Sequence, residues 1–230
     1  LFRSAIILAT RNEASQLLRR LSAVKDSGIY HYRGILAGRN VVLYICRPGV
    51  ASKEQLRRFL RLHQYDRVIL AGCSASLTST LQHLQCVHVA QAISPDEKML
   101  SLADTGVRSV SVRHLVTDDA TKADLYAQTQ AEILDMETYI VAQIMAEQEF
   151  AALPFTALRI VDDLPGEENY LNKERMLREI TLRTPTGNPT ITQILRFGIW
   201  DYLRILLRRR RVRAAVGRAV IAELAGADQT

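Results

Sequence analysis

The sequence is poor in cysteine, aromatic residues, glycine and proline, and each scarcity excludes a class of protein. Its 230 residues include 3 cysteines, 11 glycines and 6 prolines, and 6% are aromatic. Cys46, Cys73 and Cys86 lack CxxC spacing, so neither a disulfide framework nor a zinc site follows from them. We expect buried thiols in a reducing, cytoplasmic compartment. The few turn residues argue against a β-sandwich and against disorder.

Long hydrophobic runs are also missing. No run approaches the roughly 20 residues that a membrane-spanning helix needs, and no signal peptide is visible, since Leu1 leads almost directly into a strand-like segment. What the chain does contain, 48% hydrophobic and 23% charged residues, is typical of a soluble globular protein with a sizeable core. The formal net charge is +6, and much of the excess lies in the Arg-Arg-Arg-Arg-Val-Arg run at 208–213.

Short apolar segments alternate with amphipathic segments along the first 185 residues. This alternation predicts an α/β domain at 1–185, a three-layer αβα sandwich around a mixed sheet. Ser52 is a good N-cap for one of its helices, and a small-residue loop is expected at 72–76. The predicted strands are 5–9, 66–71, 87–93, 107–116, 133–135 and 153–163, the predicted hairpin joins 29–36 to 41–46, and the predicted helices are 13–21, 53–63, 121–132, 139–145 and 170–180.

A break at 184–189 (Thr-Pro-Thr-Gly-Asn-Pro) precedes a basic amphipathic extension, residues 186–230. Leucine, isoleucine and valine recur there at helical spacing, which predicts one or two long Arg-rich helices. Three interpretations stay open. The extension docks on the domain or on a dimer partner, or it lies on a membrane surface through residues such as Trp200, or its arginines bind nucleic acid. We rank nucleic acid last, because no known motif supports it.

Three acidic residues follow apolar strands. Glu13 lies just past strand 5–9, Glu137 lies at the turn after Ile133-Leu134-Asp135, and Asp163 ends a strand that contains Arg159. In an open α/β sheet, ligands bind beyond the carboxyl ends of the strands. Each acid taken alone fits a helix N-terminus or a loop, but together they predict a site.

The residues at these strand ends resemble the nucleoside phosphorylase/nucleosidase superfamily, and most closely the methylthioadenosine/S-adenosylhomocysteine nucleosidases. The resemblance rests on Met136-Glu137 after a strand, on Pro154-Phe155 followed by Arg159-Ile-Val-Asp-Asp163, on Glu13, and on the small-residue stretch Gly72-Cys73-Ser74. It spans roughly residues 5–165. It implies a cofactor-free enzyme, a homodimer, that releases adenine from a 5′-substituted adenosine.

The resemblance also implies a role for each site residue. Asp163 would protonate, or hydrogen-bond to, N7 of the purine. Glu137 would bind the ribose hydroxyls and stabilise the developing positive charge. Glu13, with Arg159 nearby, would orient and deprotonate the attacking water, and Met136 would pack against the sugar. Gly72, Cys73 and Ser74 would approach the ribose and the nucleophile.

Two alternatives to the hydrolase remain open. One is a phosphate-dependent phosphorylase, which is disfavoured because the strand before Gly72 (Val68-Ile-Leu-Ala71) lacks the arginine of related phosphorylases and because Glu13 would repel a phosphate dianion. The other is a non-catalytic nucleoside-binding or scaffold protein. It is kept open by the Leu84-Gln85-Cys86 sequence, where the family usually has Gly-Asp, and by a shortened loop between Ile93 and Leu100.

Overall fold

The computed structural model describes residues 3–22, 24–25, 31–167, 173, 176–177, 190, 193–194 and 198–226, with the backbone alone at 24–25. The helices in this part of the chain are α1 (Arg11–Arg20), α2 (Lys53–Arg61), α3 (Asp119–Thr129), α4 (Thr138–Met145) and α5 (Ile199–Gly226). The strands are β1 (Arg3–Leu8), β2 (Val24–Lys25), β3 (His31–Leu36), β4 (Arg39–Ile45), β5 (Tyr65–Ser76), β6 (Cys86–Ile93), β7 (Met99–Ser101), β8 (Val107–Ser111), β9 (Ile133–Asp135) and β10 (Phe155–Asp163).

The ten strands form one mixed sheet, half of which closes on itself. β5 pairs with β10 in parallel and with β9 antiparallel, while β6 and β8 complete a circuit in the order β5–β10–β6–β8–β9. The other half continues from β5 through β1, β4 and β3 to β2. β5 runs through both halves, so the carboxyl ends of β1 and β10 meet on either side of it.

Helices cover both faces of the sheet, which confirms the three-layer sandwich. On one face, α2 and α4 contribute Leu56, Phe59, Val141 and Ile144 to a buried cluster. On the other face, α1 and α5 bury Ala14, Leu17, Val216 and Val220 against the opposite side chains of the same strands. Neighbouring residues of β5 point to opposite clusters, as a strand covered on both faces requires.

Local sequence explains where several elements begin. Thr10 and Glu13 form a capping box at the start of α1, and Ser52 caps α2 as predicted. Asp118 caps α3 by accepting a hydrogen bond from the backbone N–H of Thr121. In the predicted hairpin, β3 and β4 are joined by Ala37 and Gly38, both at positive φ, which suits a two-residue turn between twisted strands.

The C-terminal helix α5 packs directly against α1. Gly217 permits the close approach, since a Cβ added there would lie 3.1 Å from Cβ of Gln16. Val212, Val216, Val220 and Leu224 are buried in the cluster that also holds Leu17. No helix in the described part of the chain is both long enough and apolar enough to cross a lipid bilayer.

Several sequence-based predictions need correction. The stretch 72–76 is not a loop, because β5 continues to Ser76 and pairs there with β9 and β10. The polar stretch 94–106, whose sequence predicts a loop or one helical turn, contains β7, which pairs with β6. Of the cysteines expected to be buried, only Cys46 is so; Cys73 is partly exposed, and Cys86 is exposed at the start of β6. The predicted helix 170–180 and the break at 184–189 fall largely outside the described residues.

Candidate active site

The turn between β9 and α4 is built around the buried carboxylate of Asp135. Its Oδ1 accepts hydrogen bonds from the backbone N–H groups of Glu137 and Thr138, each at 3.0 Å. The hydroxyls of Ser111 and Ser109 donate to its two oxygens at 2.8 and 3.0 Å, and the hydroxyl of Thr138 donates as well. A buried carboxylate is stable only when so satisfied, and the result is a turn that fixes the direction of Glu137.

Arg159 is the fully buried cation beside this turn. Its Nε lies 2.9 Å from Oδ2 of Asp135, and its Nη1 lies 3.4 Å from Oε2 of Glu137. The hydroxyl of Thr138 accepts from Nε and Nη2 of the same guanidinium at 3.0 and 2.8 Å. Arg159 therefore binds Asp135 and Glu137 together across the space between β9 and β10.

Glu137 is 5% exposed, and its second oxygen faces a glycine loop. The backbone N–H of Gly49, at φ +68°, donates to Oε1 of Glu137 at 3.0 Å. A Cβ added at Gly49 would lie 3.9 Å from Cε of Met136, so the Met136 side chain borders the same loop. Burial raises the pKa of Glu137 to about 7, although Arg159 opposes that shift. The carboxyl thus exchanges its proton near neutral pH.

Glu13 reaches the same cluster from the first turn of α1. Its Oε1 accepts from the backbone N–H of Cys73 at 2.9 Å, and its Oε2 accepts from the N–H and hydroxyl of Thr10, each at 2.9 Å. Gly72 lies between Glu13 and Arg159, since a Cβ added there would be 3.0 Å from Oε1 of Glu13 and 2.7 Å from Nη1 of Arg159. A glycine is needed here for space, not for an unusual φ.

Asp163 lies farther along β10 and has a different partner. The ammonium of Lys122, a residue of α3 that is 2% exposed, donates to Oδ2 of Asp163 at 2.7 Å. Oδ1 of Asp163 is buried and has no hydrogen-bond partner in the described part of the protein. Burial raises the pKa of Asp163 to about 6, with the hydrogen bond from Lys122 acting against the shift.

The predicted site residues fall into two groups. Glu13, Gly72, Cys73, Arg159, Glu137 and Met136 form one cluster through the contacts described above. Asp163 follows Arg159 by four residues on β10, roughly 13 Å along an extended strand. Ser74 lies between the two in register, opposite Val161, and its buried hydroxyl has no partner in the described residues. A ligand about the length of a nucleoside would span the two groups.

Three residues of this site were not singled out from the sequence. Asp135 and Thr138 hold Arg159 and the Glu137 turn, and Lys122 holds Asp163. An acid directly inside the apolar run Ile133-Leu134-Asp135 was a usable signal, because a buried carboxylate needs partners. Lys122 carried no such signal, since a lysine in the first turns of a polar helix is ordinarily exposed. The described residues contain no group of three or more His, Cys, Asp or Glu side chains that could hold a metal ion.

Comparison with known proteins finds similar solved structures but no significant match by sequence. No protein-family model matches the sequence, and no curated protein matches it significantly. Among solved structures, a mutant of the futalosine hydrolase of Helicobacter pylori is similar, with a TM-score of 0.65 and 16% identity over 78% of this chain and 93% of that one. The H. pylori 5′-methylthioadenosine/S-adenosylhomocysteine nucleosidase with butyl-thio-DADMe-Immucillin-A gives a TM-score of 0.66 and 13% identity over 97% of this chain and 98% of that one.

The corresponding nucleosidase of Campylobacter jejuni has a TM-score of 0.61 and 14% identity, over 73% of this chain and 88% of that one. At such identities the similarity shows the architecture. The chain therefore has the nucleoside phosphorylase/nucleosidase fold that its sequence predicts.

Proposed function

We propose, for a chain with the nucleosidase fold, that it hydrolyses the N-glycosidic bond of a 5′-substituted purine nucleoside. The observation that carries the proposal is the gathering of Glu13 and Glu137 around Arg159, with Asp163 beyond them on the same strand as Arg159. These groups come from three separate elements, and none of their side-chain contacts is needed to form the sheet.

The proposed reaction places an acid at the leaving group and a base at the water. Cleavage passes through a cation-like sugar, so the purine must accept a proton as the bond from N9 to C1′ breaks. Asp163, with a pKa of about 6, is suited to donate that proton to N7 through its unpartnered Oδ1. Water attacks C1′ and passes its proton to Glu13, which leaves a free base and a ribose derivative.

Glu137 and its surroundings are proposed to hold the ribose. Its carboxylate would accept from the ribose hydroxyls and stabilise the positive charge that develops on the sugar. Met136 beside Gly49 offers an apolar surface for the sugar face. Gly72 permits Glu13 to approach, and Cys73 fixes it through its backbone N–H.

Phosphorolysis fits this site less well than hydrolysis. A phosphate pocket needs a cation or several free N–H groups, but the guanidinium of Arg159 is already bound to Asp135 and Glu137. Glu13 accepts the N–H of Cys73, and its own charge would repel a phosphate dianion. Water is therefore the better nucleophile.

For the substrate, we propose a compound like methylthioadenosine or S-adenosylhomocysteine, as the sequence resemblance implies. Structures of this fold include proteins named for both compounds. Adenine is the base that this choice would release.

The test is release of free base from a panel of 5′-substituted purine nucleosides, with and without phosphate. We expect release that does not need phosphate, and Asp163→Asn should lower kcat by roughly 10²- to 10⁴-fold, the usual contribution of a general acid. Asp124→Asn, which changes an exposed acid of α3, is the matched control and should not alter the rate. Binding without release of any base would support a nucleoside-binding protein instead.

Two assembly proposals accompany the enzymatic one. We propose a homodimer, which light scattering after size-exclusion chromatography would test.

We also propose that the exposed face of α5 contacts an anionic membrane surface, since Trp200 and Leu207 are 79% and 54% exposed beside the exposed Arg204 and Arg211. Co-sedimentation with vesicles containing phosphatidylserine, lost in Trp200→Ser, would support it, and equal binding by both proteins would contradict it.

A further inference from the structure

The Lys122–Asp163 pair is more buried than its position near a helix start would require. Lys122 is 2% exposed and Asp163 is 6% exposed, and their Nζ and Oδ2 atoms are 2.7 Å apart. Burying an ammonium is costly even when it is paired. Apolar residues at both 122 and 163 would pack α3 against β10 at lower cost, so the pair is better explained by a ligand than by the fold.

Asp119 contacts the Lys122 side of this pair. Nζ of Lys122 lies 3.7 Å from Oδ1 of Asp119, and the backbone N–H of Gly166 donates to Oδ2 of Asp119 at 3.0 Å. α3 is thereby tied to the loop that follows β10. The ammonium is therefore held by Asp163 of the candidate site and also by Asp119, which is not part of that site.

The pair leaves one oxygen of Asp163 open. Oδ2 receives the hydrogen bond from Lys122, whereas Oδ1 is buried without a partner in the described residues. An ammonium has three N–H donors. One donates to Asp163 and the distance to Asp119 is that of an ion pair, so Lys122 retains donor capacity.

The edge of a purine at N7 distinguishes two classes of base. A 6-oxopurine presents two acceptors, N7 and O6, whereas adenine presents the N7 acceptor and the 6-amino donor. A pair of donors, such as lysine or arginine supplies, fits the first pattern, and a donor beside an acceptor, such as asparagine supplies, fits the second. A protonated carboxyl without another partner offers one O–H donor and one carbonyl acceptor, as asparagine does, and would therefore fit the N7 acceptor and 6-amino donor of adenine.

We propose that Lys122 makes this subsite selective for 6-oxopurines, whereas the Asp163 carboxyl alone would select adenine. With Oδ2 occupied, protonated Oδ1 donates to N7 while an N–H of Lys122 donates to O6. In adenine the 6-amino group, a hydrogen-bond donor, would instead face the ammonium, which also only donates, so no hydrogen bond would form there. This inference rests on the proposed hydrolase function, and it replaces the adenine of the proposed substrate with hypoxanthine or guanine.

The raised pKa of Asp163 supports this assignment, because a carboxyl with a pKa of about 6 keeps its proton in roughly one molecule in ten at pH 7, far more often than an ordinary aspartic acid. Only the protonated form can donate from Oδ1.

The experiment compares paired substrates that differ only at position 6. The full chain is given 5′-methylthioinosine and 5′-methylthioadenosine, then inosine and adenosine, and release of hypoxanthine or adenine is measured. We expect kcat/KM to favour the 6-oxo member by about 5- to 150-fold, the range for one good base-edge pattern. A preference for the adenosine member would overturn the inference and leave the hydrolase proposal intact.

Variants show whether Lys122 is the cause. Lys122→Met should abolish or invert the preference, Lys122→Arg should keep it, and Lys98→Met, at an exposed loop lysine, is the matched control. The ratio between two substrates is the readout, so damage to the fold that slows both equally does not imitate the effect. An unchanged ratio in Lys122→Met would also overturn the inference. If that variant does not fold, the ratio of the native chain decides.

If no base is released from any substrate, the hydrolase proposal fails, and calorimetric binding then decides the inference. Tighter binding of inosine than of adenosine by the native chain would support it, and equal or reversed affinities would overturn it.

Discussion

At the scale of single residues, Arg159 contacts two acids in the site, and its contact with Asp135 is shorter than its contact with Glu137. Asp135 is satisfied by backbone and hydroxyl donors as well as by Arg159, at 2.9 Å. Glu137 has Gly49 and a longer contact with Arg159, at 3.4 Å. The group with fewer partners keeps its proton more readily, and this is the group that faces the proposed ribose site.

This imbalance predicts a pH-dependent stability. The pKa of Glu137 is raised from 4.5 to about 7, chiefly by burial. Its stabilising contribution is fully present below about pH 4.5 and is lost as the pH rises through 7. Relative to the native chain, Glu137→Gln should therefore gain roughly 3 kcal/mol in unfolding free energy between pH 4 and pH 8.

Urea unfolding across that range measures the difference, with the exposed Glu54→Gln as control. Parallel curves for Glu137→Gln and the native chain would contradict the raised pKa.

The sequence identified the acids but not what holds them. Glu13, Glu137 and Asp163 each follow an apolar strand, and that local pattern is sufficient to predict where they lie. Lys122 reaches Asp163 across 41 residues of sequence, so its burial depends on how α3 sits against β10. No local pattern carries that information.

At the scale of elements, the start of α1 has two functions. The carboxylate of Glu13 closes the capping box with Thr10 and also accepts the N–H of Cys73 in β5. One carboxylate thus caps the start of the helix through Oε2 and is held against β5 through Oε1, where it is positioned as the proposed base for the water.

Thr10→Val should affect catalysis more than stability. Loss of the cap costs about 1 kcal/mol, but Glu13 also loses the hydroxyl that orients it, and a misplaced catalytic group can cost on the order of 10²-fold in kcat. Steady-state kinetics and thermal unfolding measure the two effects. Ser52→Ala removes the equivalent cap from α2 and should lower stability alone. Equal kcat in both variants would argue against a role for Glu13.

Strand and helix types were predictable, whereas the end of β5 was not. Gly72 and its small neighbours predict a loop, but β10 pairs with β5 as far as Ala75 and β9 pairs with it as far as Ser76. Pairing with distant strands outweighed the local preference of small residues.

At the scale of the whole molecule, the helix α5 of the basic extension is part of the hydrophobic core of the α/β domain. Val212, Val216, Val220 and Leu224 bury against α1, while Arg208 binds Asp162 and Glu167 near the end of β10. The arginine-rich character that stands out in the sequence therefore belongs to a helix that also carries an apolar, buried stripe.

Deleting residues 199–230 should therefore leave an unstable domain. Leu17 and its buried neighbours on α1 would be exposed, and a large loss of apolar burial is expected to outweigh a marginal total stability. Soluble yield and thermal unfolding of the shortened chain measure this. A shortened chain that melts cooperatively at the native temperature would instead support the division at 185/186 predicted from sequence.

The closed circuit β5–β10–β6–β8–β9 has a consequence for amide hydrogen exchange. Each of its strands is hydrogen-bonded on both sides, so an amide there becomes accessible only when several strands separate together. β3, in contrast, is held between β4 and the two-residue β2 at the open end of the sheet, where separation is local. Asp163 and Arg159 lie on a strand of the circuit, and Glu137 lies two residues after another. We therefore expect these strands to be among the slowest-exchanging parts of the protein, and we expect local openings at the β3 edge to leave Arg159, Asp163 and Glu137 assembled.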